Sequence, residues 1–219
     1  MCRYKKIDLE NWCRKEHYLY YTNSLNVEVN MTANIDASEL LTFCHTNGYK
    51  FYPTLIYCVT KVLNRIENFK MFKDKNGDLC VWDSLVPNYT IFHEEDHTFS
   101  DCWTDFTDDF DSFYKNITSD MELGKTKRGI KVKLGQPANF YCVSCTPWTA
   151  FTAVSSRMVN GGAAFFPIIT AGKYDDNYQM PVNITIAHAV ADGYHIGLFF
   201  SDLQKEVSLK SLKSHLAQL

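Results

Sequence analysis

The fold is decided by one stretch, Met180 to Val207, which runs MPVNITIAHAVADGYHIGLFFSDLQKEV. Its first part predicts a strand, because apolar residues alternate with polar ones at the period of a sheet; they are Val182, Ile184 and Ile186. The part after Gly193 predicts a helix with a buried stripe, formed by Ile196, Phe199, Phe200, Leu203 and Val207. His188 and Asp192 lie in the turn between the two, where side chains are commonly presented to ligands. We therefore predict that His188 is a general base and that the rest of the chain positions it.

The totals describe a globular protein and exclude several classes. With 219 residues, the chain is expected to form a single domain over residues 1–219. A net charge of −3 argues against nucleic acid as a partner, because phosphate binding calls for a basic face. No apolar run approaches the ~20 residues that a membrane span requires, and the first ten residues do not form a signal peptide. A cytoplasmic protein is the expectation.

Eight cysteines are then expected to be reduced thiols. The pair Cys142 and Cys145 could suggest a redox or zinc site. On a predicted strand, however, residues three apart point to opposite faces, and no second C-x-x-C pair completes a zinc ribbon. For this pair, two ordinary reduced thiols are therefore the favoured interpretation.

Turn and capping signals divide the rest of the chain. Helices are predicted over Ile7 to Glu16, after an Asp36–Glu39 capping box, from Pro53 to Ile66 and from Asp108 onward. The main predicted strands are Val27 to Ile35, Asn88 to Phe92, Thr98 to Trp103, Phe140 to Thr146, Ala150 to Ser156 and Phe165 to Thr170, with a hairpin at Asn76-Gly77. Glu122 to Pro137 is basic and loop-like, with an anion contact as the minor interpretation. The class is α+β with a mixed, largely antiparallel sheet.

Several stretches resemble one family over nearly the whole chain, from about Ile7 to Val207. They are W-C-R-K-E-H at 12–17, K-F-Y-P at 50–53, V-W-D-S at 81–84, Y-T-I-F-H-E at 89–94, T-F-S at 98–100, S-C-T-P-W at 144–148, T-A-G-K-Y at 170–174 and H-A-V-A-D-G-Y-H at 188–195. H-x-x-x-D-G alone also occurs in other coenzyme A-dependent acyltransferases. In this order and spacing, the stretches resemble the chloramphenicol acetyltransferase family.

The resemblance implies a two-layer sandwich with helices packed on one face of the sheet, assembled as a homotrimer with active sites between subunits. It implies transfer of acetyl from acetyl-CoA to a hydroxyl of chloramphenicol, hence antibiotic resistance. His188 matches the family's catalytic histidine, Ser144 its oxyanion-stabilising serine, and Asp192 with Arg14 a structural ion pair. The matching substrate positions are Tyr21, Thr170, Val154, Ser156 and Val132. The matching coenzyme A positions are Lys50, Tyr52, Trp148, Lys173 and Tyr174.

The chemistry agrees with these roles. An alcohol is a poor nucleophile at pH 7, and a neutral histidine is the natural base for its proton, worth roughly 10²–10⁴-fold. A fixed hydroxyl such as that of Ser144 can donate to the tetrahedral oxyanion. Asp192 is expected to hold the turn rather than relay protons. A metal held by His188, Asp192 and His195 fits the residue types, but a thioester donor needs no Lewis acid, so no metal is expected.

The acceptor pocket departs from the family pattern. Ala187 and Ala191 replace a usual histidine and cysteine, Ala153 to Ser156 replace apolar or aromatic residues, and Val132-Lys133 replaces a Phe-Pro pair. Lost aromatic contacts could cost about 1–3 kcal/mol each. Two alternatives therefore stay open: a same-fold acetyltransferase with another bulky hydroxylated acceptor, and a non-catalytic binder of apolar ligands. A 2-oxoacid dehydrogenase acyltransferase shares H-x-x-x-D-G, but the lipoyl domains and long Ala/Pro linkers of such proteins are not seen in this sequence.

Overall fold

The computed structural model describes residues 3–158 and 162–216, and these form nine strands and six α-helices. The strands are β1 Tyr4–Lys6, β2 Glu28–Asp36, β3 Met71–Lys73, β4 Leu79–Trp82, β5 Val86–His93, β6 Thr98–Trp103, β7 Phe140–Thr146, β8 Ile168–Gly172 and β9 Gln179–Ala187. The helices are α1 Lys15–Asn23, α2 Ser38–Asn47, α3 Phe51–Arg65, α4 Phe110–Lys125, α5 Gly193–Glu206 and α6 Leu209–Leu216.

Six strands form one mixed sheet in the order β2-β9-β8-β7-β5-β6. β7 runs parallel to both β5 and β8, whereas the other three pairs are antiparallel. The helical layer packs on this sheet through α5 on β2 and through α4 on β5 and β6, with α3 between α4 and α5. The predicted α+β class with a mixed sheet is confirmed.

β9 lies between β2 and β8 and carries two different buried faces. Val182, Ile184 and Ile186 join the apolar core, as their alternation predicts. The polar residues between them are buried as well, and hydrogen bonds to β2 satisfy them: Asn183 Nδ2 donates to Asn30 Oδ1 at 2.8 Å, and Asn30 Nδ2 donates to Thr185 Oγ1 at 2.6 Å. An alternating pattern thus marks a strand with one apolar and one hydrogen-bonded buried face.

The helix predicted over Ile7 to Glu16 is wrong, because turns occupy most of that segment and α1 begins only at Lys15. The Asp8 carboxylate accepts a hydrogen bond from the Asn11 side chain at 2.7 Å, and the Asn11 backbone N–H bonds to the Asp8 carbonyl at 3.2 Å. Such local bonds to an aspartate compete with helix formation.

The strand predicted over Ala150 to Ser156 is also wrong, because that segment is irregular. Both edges of β7 are already paired, with β5 and β8, so the segment that follows β7 finds no free strand edge there. The strand predicted over Phe165 to Thr170 forms slightly later, as Ile168–Gly172. Of the turn predicted at Asn160-Gly161-Gly162, the first two residues lie outside the described part of the chain.

The capping box predicted for α2 does not form. The helix N-cap is Ala37, and Asp36 instead accepts a hydrogen bond from the Ser38 backbone at 2.9 Å. Glu39 reaches α6, where its carboxylate accepts from the Leu209 N–H at 2.6 Å. Gly48 ends α2 in the left-handed conformation with φ of 72°, as a glycine C-cap should.

Candidate active site

His188 follows β9 directly and is half-buried. Its backbone N–H donates to the Val27 carbonyl at 2.9 Å, and its ring stacks on Tyr21 with centroids 3.9 Å apart and planes 11° from parallel. Nδ1 is buried and has no hydrogen-bond partner in the described chain, whereas Nε2 is not enclosed. Stacking on Tyr21 therefore holds the ring in one orientation, in which Nε2 is not fully buried.

Asp192 clamps the turn that carries His188. It is the N-cap of α5, accepting from the Tyr194 N–H at 3.0 Å, and its other carboxylate oxygen accepts from Arg14 Nη1. His195 Nδ1 lies 2.8 Å from the Asp192 carboxylate and completes a capping box. Arg14 precedes α1, so this ion pair ties the beginning of the chain to the turn between β9 and α5.

Charge rather than burial sets the ionisation of Asp192. Burial alone would raise the pKa of this carboxyl, but the hydrogen bonds and positive charge of Arg14 and His195 outweigh burial and lower the pKa to about 2. A carboxylate with this pKa stays ionised through the neutral range, which suits a structural anchor better than a group that exchanges protons.

Ser144 lies on β7, in register with Thr170 of β8, which in turn is in register with Asn183 of β9. His188 is five residues beyond Asn183 along the chain. With about 3.3 Å per residue and about 4.8 Å per strand spacing, the backbone positions of Ser144 and His188 are roughly 19 Å apart within one chain. One copy of the chain therefore does not bring the two predicted catalytic side chains to the same reacting atom.

A cavity of about 420 Å³ lies between α3, α4 and the end of β7, and we call it the α3–α4 cavity. Three predicted coenzyme A residues, Lys50, Tyr52 and Trp148, line it. The Tyr52 hydroxyl donates to the Val143 carbonyl at 3.2 Å, and burial raises its pKa well above the ordinary value, so this hydroxyl stays protonated. Trp148 is 64% exposed and rests edge-on against Phe92 at 4.8 Å.

The other two predicted coenzyme A residues lie beside this cavity. The Lys173 N–H donates to the Thr149 carbonyl at 2.9 Å, next to Trp148 in the chain. The Tyr174 ring lies 6.3 Å from the ring of Phe51, which lines the cavity. All five predicted residues are thus grouped around one opening, with exposed aromatic and lysine side chains at its edge.

The predicted acceptor residues are more scattered. Tyr21 stacks on His188, and Thr170 is buried beside Ser144. Val154 and Ser156 are half-buried in the irregular segment after β7. Val132 is only 6% exposed and belongs to the core.

Sequence reasoning missed two groups of residues at these cavities. Glu122 and Lys125, one helical turn apart on α4, line the α3–α4 cavity. Ser155 and Arg157 line a second cavity of about 420 Å³ beside Val27, the backbone partner of His188. Two of the four had a signal in the sequence: Lys125 as a member of the basic segment and Ser155 as part of the Ala153 to Ser156 stretch. Glu122 and Arg157 depend on which chain segments meet in space.

Most of that basic segment is neutralised within the chain. Three of its cations pair with carboxylates: Arg128 with Glu95 at 3.0 Å, Lys131 with Asp101 at 2.8 Å and Lys133 with Asp120 at 2.7 Å. The minor interpretation of this segment as an anion contact therefore gains nothing from these three residues.

The cysteines of β7 are thiols rather than thiolates. Burial raises the pKa of Cys142 and of Cys145 to about 11 in each case, which disfavours nucleophilic or metal-binding chemistry at neutral pH. Residues 3–158 and 162–216 contain no group of three or more His, Cys, Asp or Glu arranged to hold a metal ion. None of the helices in these ranges combines the length with the apolar character that a bilayer crossing requires.

Comparisons with known proteins find relatives similar in sequence and in fold. A relative from Clostridium perfringens named chloramphenicol acetyltransferase is 39% identical over 209 residues, which cover 94% of this chain and 95% of the relative. A Campylobacter coli protein of the same name is 38% identical and covers 92% of this chain and 97% of its own length. A solved structure of a chloramphenicol acetyltransferase superposes with a TM-score of 0.79 at 23% identity, over 94% of this chain and 99% of that one, and so shows the same fold.

The family model described as chloramphenicol acetyltransferase matches residues 2–204. This range contains all the residues assigned above to the His188 turn, to Ser144 and to the α3–α4 cavity. The match covers nearly the whole chain, and the relatives match over nearly their whole length. The protein is therefore an acyltransferase and belongs to the chloramphenicol acetyltransferase family.

Proposed function

We propose that the protein transfers an acetyl group from acetyl-CoA to a hydroxyl of chloramphenicol, with His188 as general base and Ser144 as donor to the oxyanion. The observation that carries the proposal is the His188 ring, which is held in one orientation by Tyr21 and by the turn that Asp192 caps, with Nε2 not fully buried. Family membership supports the reaction class, and the α3–α4 cavity supports a long cofactor.

The reaction needs no residue beyond these two to move its proton and stabilise its charge. Nε2 of His188 removes the proton of the acceptor hydroxyl as the oxygen attacks the thioester carbon. The Ser144 hydroxyl donates to the oxyanion of the tetrahedral intermediate. The C–S bond then breaks, the thiolate takes the proton back from His188, and the acetyl ester and coenzyme A leave. Both substrates must be held together, because no covalent acyl-enzyme is formed.

The separation of His188 from Ser144 supports a site shared by two copies of the chain. A distance of roughly 19 Å within one chain is too long for both side chains to touch the same reacting group. A homotrimer with its sites between subunits resolves this, because His188 of one copy can meet Ser144 of the next. Closed rings of this kind are a common form of homo-oligomer.

The residues predicted to bind the acceptor are more scattered than those predicted to bind coenzyme A. We place the acceptor against Tyr21, Thr170, Val154 and Ser156, with the coenzyme A at Lys50, Tyr52, Trp148, Lys173 and Tyr174. Val132, the fifth predicted acceptor residue, is buried in the core and is left out of this placement. Arg157 and Ser155, which line the cavity beside Val27, favour a second candidate in which the same chemistry acts on a more polar hydroxylated acceptor. A cytoplasmic location and a single domain over residues 1–219 remain predictions of the sequence.

The decisive experiment measures thiol release from acetyl-CoA in the presence of chloramphenicol. His188→Ala should lower kcat by about 10²–10⁴-fold and Ser144→Ala by about 10²–10³-fold, since each loses one catalytic group. His45→Ala, which changes an exposed histidine on α2, is the matched control and should leave the rate unchanged.

Two results would contradict the proposal in different ways. Thiol release with another alcohol and a much higher KM for chloramphenicol would favour the second candidate. No release with any acceptor at millimolar concentration, by protein that binds coenzyme A, would point to a binding protein instead.

A further inference from the structure

One carboxylate at the edge of the α3–α4 cavity holds two lysines. Glu122 Oε1 accepts from Lys50 Nζ at 2.9 Å and from Lys125 Nζ at 3.1 Å. The three side chains are 56%, 59% and 53% exposed, so they lie at the opening rather than in the interior. Lys50 precedes α3 whereas the other two residues belong to α4, so the cluster joins both walls of the cavity.

The charges at this opening cancel. Lys50 and Lys125 supply two positive charges, and Glu122 with Glu94, which also lines the cavity, supplies two negative ones. Hydrogen bonds from Lys50 and Lys125 lower the pKa of Glu122, so this carboxylate stays ionised at neutral pH. These four groups therefore exert no net attraction on an incoming anion. An attraction arises only when a carboxylate moves away from the two lysines.

We infer that Glu122 competes with a phosphomonoester of the bound cofactor for Lys50 and Lys125, and so sets how tightly the cofactor binds. This rests on the proposed function, in which coenzyme A with its 3′-phosphate occupies the cavity. A phosphomonoester carries about −1.5 to −2 charges and three acceptor oxygens at pH 7, so it can satisfy both ammonium groups at once. Glu122 then turns to solvent, which its exposure permits.

The competition can be tested by removing the negative charge of Glu122. Glu122→Gln should tighten the Kd for coenzyme A about two- to fivefold at low ionic strength, the scale of an exposed ion pair. The gain should shrink toward onefold near 1 M salt, where the screening length is only about 3 Å. It should also be smaller for dephospho-coenzyme A, which has a hydroxyl in place of the 3′-phosphate. Isothermal titration calorimetry measures all these values.

Glu94→Gln is the matched control, because Glu94 lines the same cavity but forms no ion pair with either lysine. It should change the Kd for coenzyme A less than Glu122→Gln does. Lys125→Gln should weaken binding of coenzyme A about two- to fivefold and spare dephospho-coenzyme A.

The outcomes separate this inference from the function on which it rests. Equal gains from the Glu122 and Glu94 variants, an equal gain for both ligands, or no gain would overturn the competition while thiol release from acetyl-CoA still proceeds. Failure of the unchanged protein to bind coenzyme A would overturn both.

Discussion

At the scale of single residues, the charge of the largely buried Arg14 side chain is neutralised by one carboxylate, that of Asp192. Nη1 of Arg14 pairs with Asp192, whereas Nε and Nη2 are buried without hydrogen-bond partners in the described chain. The side chain is only 13% exposed. A charge held in this way is costly to leave without its counterion, so the ion pair fixes the beginning of the chain against the His188 turn.

Asp192→Asn should therefore damage stability more than chemistry. Asparagine can still cap α5, but it no longer neutralises Arg14, and we expect the free energy of unfolding to fall by about 2 kcal/mol at pH 7. The loss of kcat should be far smaller than that of His188→Ala. A loss as large as that of His188→Ala, with unchanged thermal unfolding, would mean that Asp192 takes part in the proton transfer.

The pH dependence of unfolding gives the same variant a second readout. A carboxyl whose pKa is lowered on folding, here to about 2, stabilises the protein above its unfolded pKa of 3.8, and this contribution is lost as pH falls toward 2. The unchanged protein should lose about 2 kcal/mol more than Asp192→Asn between pH 5 and pH 2. Urea unfolding of both proteins across this range measures the difference, and parallel curves would contradict the assigned pKa.

The site residues differ in how far the sequence could predict them. His188 and Asp192 lie close together in the chain, in a motif with a clear strand before it and a helix after it. Glu122 and Arg157 carry no such signal, because their position at a cavity depends on contacts between distant segments. Sequence patterns report local periodicity, and a cavity wall is not local.

At the scale of helices and strands, elements encoded by adjacent residues were predicted correctly, whereas an element that depends on contacts between distant segments was missed. The hairpin at Asn76-Gly77 was predictable because a tight turn is encoded in adjacent residues, and β3 and β4 pair there as expected. The helix α6, Leu209–Leu216, was not predicted. Its beginning is fixed by Glu39 and its last turn by a bond of 2.6 Å between His215 and the buried Glu206. Both partners lie on other helices.

The end of β8 offers a test of packing between elements. A Cβ atom on Gly172 would lie 2.7 Å from Pro181 Cγ and 2.8 Å from Phe151 Cε1, closer than such atoms can approach. Because the proline ring in β9 is rigid, Gly172→Ala should lower the free energy of unfolding by about 1–3 kcal/mol, measured by urea titration.

Gly197→Ala provides the control for this substitution. Gly197 lies inside α5, and no atom within 4 Å would meet its added Cβ. Alanine in a helix interior should instead stabilise the protein, by about 0.5–1 kcal/mol. If the two substitutions change the free energy of unfolding equally, close packing is not the reason that position 172 requires glycine.

At the scale of the whole molecule, a shared site makes two inactive variants complementary. His188→Ala and Ser144→Ala chains, mixed equally and allowed to exchange subunits, should recover roughly a quarter of the full activity, because random assembly pairs an intact His188 with an intact Ser144 at that frequency. Mass spectrometry of the assemblies confirms exchange. An inactive mixture after complete exchange would place both groups within one chain.

The buried amides and hydroxyls shared by β2 and β9 also limit how the sheet can be assembled. Shifting β9 by one residue would turn Asn183 and Thr185 toward the helices and place Ile184 among the polar groups of β2. Each amide or hydroxyl stranded in the apolar layer would cost on the order of 1–3 kcal/mol. Misaligned pairings are thereby penalised during folding, and the position of His188 at the end of β9 is fixed before any substrate arrives.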